Sequence, residues 1–192
     1  MTISVHLKDI PNTISRLVTQ IQQRAFNPDH ILYIESAGWL LGEELAKQMG
    51  CSASGIVAKR KGNRLKQFVA PLFSYFPEEL AHQIRRLELG SRIHAQVATR
   101  QVSLRAELLT PWKRLIIIDD AVDSGNSLQS VVEFLQSKGF AQSDILTAAI
   151  TVTSSTPVIK PDVSLYSEVV IFPWSPGSKD WRAYQEIVRK RE

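Results

Sequence analysis

A single cysteine in 192 residues, Cys51, leaves no partner for an internal disulfide and no basis for a multi-thiolate zinc site. Packing as a small hydrophobe is its expected role, ahead of nucleophilic chemistry. The four histidines, His6, His30, His82 and His94, are scattered without metal-ligand spacing, so no transition-metal centre built by the protein is expected. Apolar runs are too short to cross a bilayer, and no Pro/Gly/Ser-rich spacer, low-complexity tract or internal repeat divides the chain. The first residues, Met-Thr-Ile-Ser-Val-His, lack the basic region and apolar stretch of a signal peptide, which makes cytoplasmic residence without membrane attachment the expectation. Neither charge sign dominates. The 23 Lys and Arg against 19 Asp and Glu give +4, an excess that favours phosphorylated ligands but is too modest to make nucleic acid the expected partner. The length suits one domain over residues 1–192 around one continuous core.

Against these absences, residues 115–128 stand out: Leu-Ile-Ile-Ile-Asp-Asp-Ala-Val-Asp-Ser-Gly-Asn-Ser-Leu. Ile116, Ile117 and Ile118 are a β-branched run suited to a strand buried on both faces of a parallel sheet. Residues 124–127 are too small and polar to continue it, so the chain turns there. Leu128, Val131, Val132 and Leu135 then recur at the spacing of a helix with one apolar stripe. A loop joining a strand's carboxyl end to a helix's amino end presents unpaired N–H groups to an anion, and Gly125 would let a phosphate approach the backbone. Asp119 and Asp120, just before the loop, could accept hydrogen bonds from vicinal hydroxyls. Phosphate plus diol describes a ribose phosphate.

This stretch resembles the signature of the type I phosphoribosyltransferases, whose ligand is phosphoribosyl pyrophosphate (PRPP). The resemblance implies an α/β fold, a parallel sheet flanked by helices, with a small hood built from the chain ends. It implies that Asp119 and Asp120 meet the ribose hydroxyls, and that Asp123, Ser124, Gly125, Asn126 and Ser127 wrap the 5-phosphate. Asp123 stands where members using 6-oxopurines carry an acidic residue near N7 of the base, which marks it as the candidate catalytic acid/base. Magnesium is the implied cofactor, held mainly by PRPP, with Asp119 and Asp120 as the protein carboxylates within its reach.

The other elements fit the same order. Ile14, Leu17, Val18 and Ile21 predict an amino-terminal helix after Pro11. Residues 31–34 read as a strand, Leu41, Leu45, Ala46 and Met49 as the apolar face of a helix stopping near Gly50, and residues 53–58 as the next strand. Residues 61–91 occupy the place of the family's flexible catalytic loop, with an ordinary insertion as the competing reading. An alternating run follows over 95–103. Residues 145–153 predict another strand, residues 164–172 two short ones completing the sheet, and Trp181, Tyr184 and Val188 one face of a terminal helix.

Ser36, Ala37 and Gly38 sit between the first strand and its helix, the position of the family's pyrophosphate loop. A plain strand-to-helix turn is the alternative. Many purine-using members carry Arg-Gly-Gly or a similar run there; this chain offers a hydroxyl and backbone N–H groups, with Glu35 adding negative charge nearby. Lys59 and Arg60, in a basic segment that resembles one of adenine-using relatives, are the candidate replacements. Trp174, in Phe172-Pro173-Trp174, matches the aromatic residue that stacks on the base, with core packing as its alternative. The implied reaction transfers the phosphoribosyl group of PRPP to a nitrogenous base, most naturally a purine, and releases pyrophosphate, as in purine salvage. A non-catalytic domain that binds PRPP or a nucleotide and regulates another process is the rival. The family often pairs as homodimers, but the sequence identifies neither an interface nor the base.

Overall fold

Apolar residues alternate so regularly along the central strands that two separate cores result, one on each face of a single sheet. The computed structural model describes residues 2–35, 38–60, 100–103, 112–175 and 177–191, leaving aside the side chains at 59–60 and 100–103. The main sheet is built from β2 (His30–Glu35), β3 (Ser52–Arg60), β4 (Arg100–Ser103), β5 (Leu115–Val122), β6 (Ile145–Val152) and β7 (Val163–Tyr166), in the order β4-β3-β2-β5-β6-β7. All neighbours are parallel except β4, which runs antiparallel to β3 at one edge. Helices α1 (Ile10–Gln23) and α2 (Trp39–Met49) cover one face, and α3 (Asn126–Ser137) covers the other.

β5 shows why both layers form. Ile116 and Ile118 join the core beneath α1 and α2, while Leu115 and Ile117 join the core beneath α3, and all four are 0% exposed. A strand buried on both faces needs the unbroken apolar run that the sequence supplies. The predicted helix faces are the buried ones: Ile14, Leu17, Val18 and Ile21 on α1, and Leu128, Val131, Val132 and Leu135 on α3. Gly50 ends α2 in the left-handed conformation at φ 71°, as a helix-terminating glycine should. Gly42 brings α2 against β2 so closely that a Cβ there would lie 2.5 Å from the Tyr33 ring. Cys51 packs partly buried against the α1/α2 core, and burial pushes its thiol pKa up, which keeps it protonated and inert.

Two strands depart from the sequence expectation. Residues 164–172 do not contribute two strands to one sheet. β7 completes the main sheet, but β8 (Val169–Ile171) leaves it and pairs in parallel with β1 (Thr2–Ser4), a strand that no alternation announced. The two chain ends thereby meet, and Val5 N–H extends the contact by donating to Ile171 O at 2.9 Å. The terminal helix α4 (Trp181–Arg191) belongs to the same assembly. Asp180, just before it, accepts from Leu7 N–H at 2.8 Å and lies 3.1 Å from His6 Nδ1. Those contacts, the Leu7 N–H bond first, hold the Asp180 pKa below the usual carboxylate value. At its other end, Arg191 reaches Glu43 of α2 at 2.6 Å and lies over the Trp39 ring at 4.2 Å. These pieces correspond to the small hood expected from the chain ends. The expected loop over 61–91 and residues 95–99 of the alternating run lie outside the described residues.

Candidate active site

Strand order reverses between β2 and β5. From β2 the chain crosses through α2 to β3 on one side, and from β5 it crosses through α3 to β6 on the other. Such a switch point leaves a crevice outside the carboxyl ends of the two adjacent strands, where open α/β sheets bind their ligands. Register places those ends together, Tyr33 opposite Ile118. Glu35 at the end of β2 and residues 119–127 therefore flank one crevice.

β5 does not stop at its carboxylates. It continues to Val122 because β6 still offers backbone partners, Ala121 with Thr151 and Val122 with Val152. The strand pleat consequently directs Asp119 and Asp120 to opposite faces. Asp119 lines a polar cleft of about 180 Å³ together with Ala121, Val122, Asp123, Ser124, Gly125, Ser127 and Leu128. Asp120 faces the other way: its Oδ2 accepts from Trp174 Nε1 at 2.7 Å, and its Oδ1 accepts from Ala121 N–H at 2.8 Å.

The turn into α3 has the geometry of an anion cradle. Gly125 is the N-cap at φ 77°, and Asn126 Nδ2 donates to Ser124 Oγ at 3.1 Å. The first backbone N–H groups of a helix have no partner within it and carry the positive end of its dipole, so they meet the cleft that Ser124 and Ser127 line. Asp123 is exposed at the mouth, with Thr153 Oγ1 3.5 Å from its Oδ1. A contact from 152–159 that the sequence did not announce supports this loop. Val158 N–H donates to Ser124 O at 3.0 Å, and a Cβ on Gly125 would come within 2.9 Å of Ile159 O. A glycine is therefore also required here by a protein contact.

Gly38 is the N-cap of α2, and a Cβ there would lie 2.8 Å from Ile34 O, which explains a glycine at this turn. Ser36 and Ala37 lie outside the described residues, as do the side chains of Lys59 and Arg60, whose backbones end β3 beside the exit of β2. The Glu35 carboxylate lies against Gly55 of β3, where a Cβ would collide with it.

Trp174 sits in an aromatic group. The buried Phe172 ring lies parallel to it, 5° between planes and 4.9 Å between centroids, and Tyr184 approaches at 5.8 Å with a tilt of 52°. A ligand base could stack only on the face that Phe172 leaves. Tyr184 in turn accepts from Trp39 Nε1 at 3.4 Å, joining α4 to the first residue of α2. Sequence spacing had placed Tyr184 on a packed helix face without hinting at this link. A second cleft of about 380 Å³ opens past the ends of β6 and β7, with Ser154, Ser155, Lys160 and Ser167 beside Val152, Pro157 and Leu165 in its lining. No residue of that segment had been singled out, since isolated serines and one lysine carry no spacing signal.

Among the described residues, no group of three or more His, Cys, Asp or Glu side chains could hold a metal ion, and no helix is long and apolar enough to cross a membrane. A carboxylate beside a strand-to-helix turn, at the switch point of a mostly parallel sheet, is where an open α/β sheet binds an anionic ligand. The phosphoribosyl transferase domain model matches residues 6–181, and the chain belongs to that family. Adenine phosphoribosyltransferase of Synechocystis sp. is 26% identical over 127 residues, 66% of this chain and 61% of that protein, so the match spans less than two thirds of the relative's length. Among solved structures, xanthine-guanine-hypoxanthine phosphoribosyltransferase of Helicobacter pylori superimposes with a TM-score of 0.64 at 18% identity, covering 97% of this chain and 99% of that one. A purine phosphoribosyltransferase of Pyrococcus horikoshii gives 0.60 at 17% identity over 92% and 96%. At these identities the likeness establishes the type I phosphoribosyltransferase fold.

Proposed function

We propose that the protein transfers the phosphoribosyl group of PRPP to a purine base and releases pyrophosphate. The observation that carries this reading is the Asp119-to-Ser127 cleft, an anion cradle with a carboxylate beside it, at the switch point of a sheet belonging to this family. The adenine and other purine phosphoribosyltransferases among its relatives support the choice of a purine.

In the reaction, a ring nitrogen of the base forms a bond to C1 of the ribose as the bond from C1 to pyrophosphate breaks, and the electron pair leaves with pyrophosphate. The ribose gains oxocarbenium character on the way, as in glycoside hydrolysis. Amides at the start of α3, with the Ser124 and Ser127 hydroxyls, hold the 5-phosphate. Asp119 and Asp120 supply the carboxylates for the ribose hydroxyls, and their charge favours the developing cation. Asp123, exposed at the cleft mouth, takes up or returns the proton at N7 of the base. Gly38, with Ser36 and Ala37, supplies amides to the pyrophosphate, and Lys59 and Arg60 supply positive charge in place of the family's arginine. Trp174 covers the base with the face that Phe172 leaves.

Magnesium fits this donor set: a hard cation takes one or two carboxylates and completes its shell with phosphate oxygens, and Asp119 lines the phosphate cleft. Magnesium held there with PRPP would supply charge neutralisation for a pyrophosphate leaving group. A cytoplasmic homodimer serving purine salvage is the cellular setting that goes with this chemistry.

One feature favours a PRPP- or nucleotide-binding regulatory domain instead. Residues 35–38 contain no guanidinium for the leaving group. An assay of pyrophosphate release with PRPP, magnesium and a panel of purines and pyrimidines separates the two. The transferase releases pyrophosphate with at least one purine, and Asp123→Ala lowers turnover by about 100-fold or more, a larger loss than in PRPP affinity. PRPP binding without release from any base would establish the regulatory reading. Full turnover by Asp123→Ala with every accepted base would remove Asp123 from the chemistry.

A further inference from the structure

The bond between Trp174 and Asp120 assigns the indole a task beyond covering a base. The two residues are 54 positions apart, and the 2.7 Å contact is built from both sides. On the tryptophan side, the turn carrying it is closed twice: Ser175 N–H donates to Phe172 O at 2.9 Å, and Phe172 N–H donates to Ser175 Oγ at 3.0 Å. The parallel Phe172 ring and the buried Tyr184 then fix the plane of the indole. On the aspartate side, Ala121 N–H occupies Oδ1 and the indole N–H occupies Oδ2, so the carboxylate cannot rotate without losing two hydrogen bonds. Indole N–H is a donor only, and its aim is set by a ring held in place. Each carboxylate oxygen retains acceptor capacity, now in a fixed direction.

We infer that Trp174 is a positioning residue that sets the Asp120 carboxylate for a ribose hydroxyl, with Phe172 and Tyr184 holding the indole in register. The inference rests on the ribose-phosphate reading of the cleft. It makes the ribose contact depend on the turn before the carboxyl-terminal helix, because the same ring meets Asp120 and Tyr184 of α4.

The test compares the affinities of ribose 5-phosphate and inorganic phosphate, measured by calorimetry on the full chain. Both ligands use the phosphate cradle, and one of them uses the diol. Trp174→Phe keeps a ring to lie on Phe172 but loses the donor. It should reduce the preference for ribose 5-phosphate by about tenfold and leave phosphate affinity unchanged. Asp120→Asn should lose a similar factor, and the double variant should lose no more than Asp120→Asn alone, because the two changes remove one interaction. Trp174→His, which retains a ring N–H, should recover part of the preference. A preference that survives Trp174→Phe, losses that multiply in the double variant, or an equal loss for both ligands would overturn the assignment. Wild-type protein that binds phosphate without preferring the sugar would overturn the ribose reading, and this inference with it. The two failures are therefore distinguishable.

Discussion

Gly125 carries two constraints at one residue. Its φ of 77° is a conformation that side chains rarely adopt, and a Cβ would meet Ile159 O at 2.9 Å and Ile159 N at 3.1 Å. Gly125→Ala should destabilise the protein by about 1–3 kcal/mol and weaken phosphate binding, through strain at the cap and displacement of the 158–159 backbone. Thermal unfolding and phosphate titration of the variant check this, and an unchanged melting temperature would contradict it. The sequence marked this glycine for its place in the turn, and the structure adds a second neighbour, Ile159. A strand-to-helix junction can be read from spacing, whereas the approach of a segment 34 residues away cannot. Trp174 and Asp120 pose the same difficulty: each was legible as a candidate, but the hydrogen bond between them depends on how β8 leaves the sheet.

At the scale of elements, periodicity was a reliable guide wherever burial was one-sided or complete. α1, α2, α3 and the central strands lie where their apolar spacing indicated, within a few residues. It failed where pairing alone makes the strand. Thr2–Ser4 is too short to show alternation, and Val169–Ile171 reads like any terminal strand until its partner is known. β5 ran past Asp120 because a neighbouring backbone was available, a circumstance invisible in its own residues.

His30 shows how such elements are joined. It is 2% exposed at the start of β2, it contacts Ser52 Oγ at 2.6 Å and Ser54 Oγ at 2.7 Å on β3, and it stacks on Trp112 at 3.6 Å. Burial lowers its pKa to about 4, so the ring is neutral in the folded protein at pH 7. The unfolded chain, whose histidine titrates near 6.5, then binds more protons between those values. Stability contributed by this site is therefore full above about pH 6.5 and is lost as pH falls toward 4, by up to about 3 kcal/mol. Chemical denaturation across this range should show the loss, and His30→Gln should flatten it. An equally steep acid limb in that variant would place the effect elsewhere.

For the whole molecule, one sheet with a core on each face brings the carboxyl ends of β2 and β5 together, and the joined chain ends carry Trp174 to the same crevice. The strand-end carboxylates and the turn that follows them were legible as neighbours because strand, turn and helix follow one another within fourteen residues. The proposed pyrophosphate contacts were less so, since residues 36–38 follow one strand while Lys59 and Arg60 end another. The central claim is that the Asp119-to-Ser127 cleft binds a phosphoribosyl group. Its most direct test is calorimetric titration of the wild-type chain with PRPP, with and without magnesium, beside Asp119→Ala and Asp120→Ala. The structure predicts saturable binding at one site per chain, strengthened by magnesium and weakened at least tenfold by either substitution. No binding, or binding that both substitutions leave untouched, would contradict it.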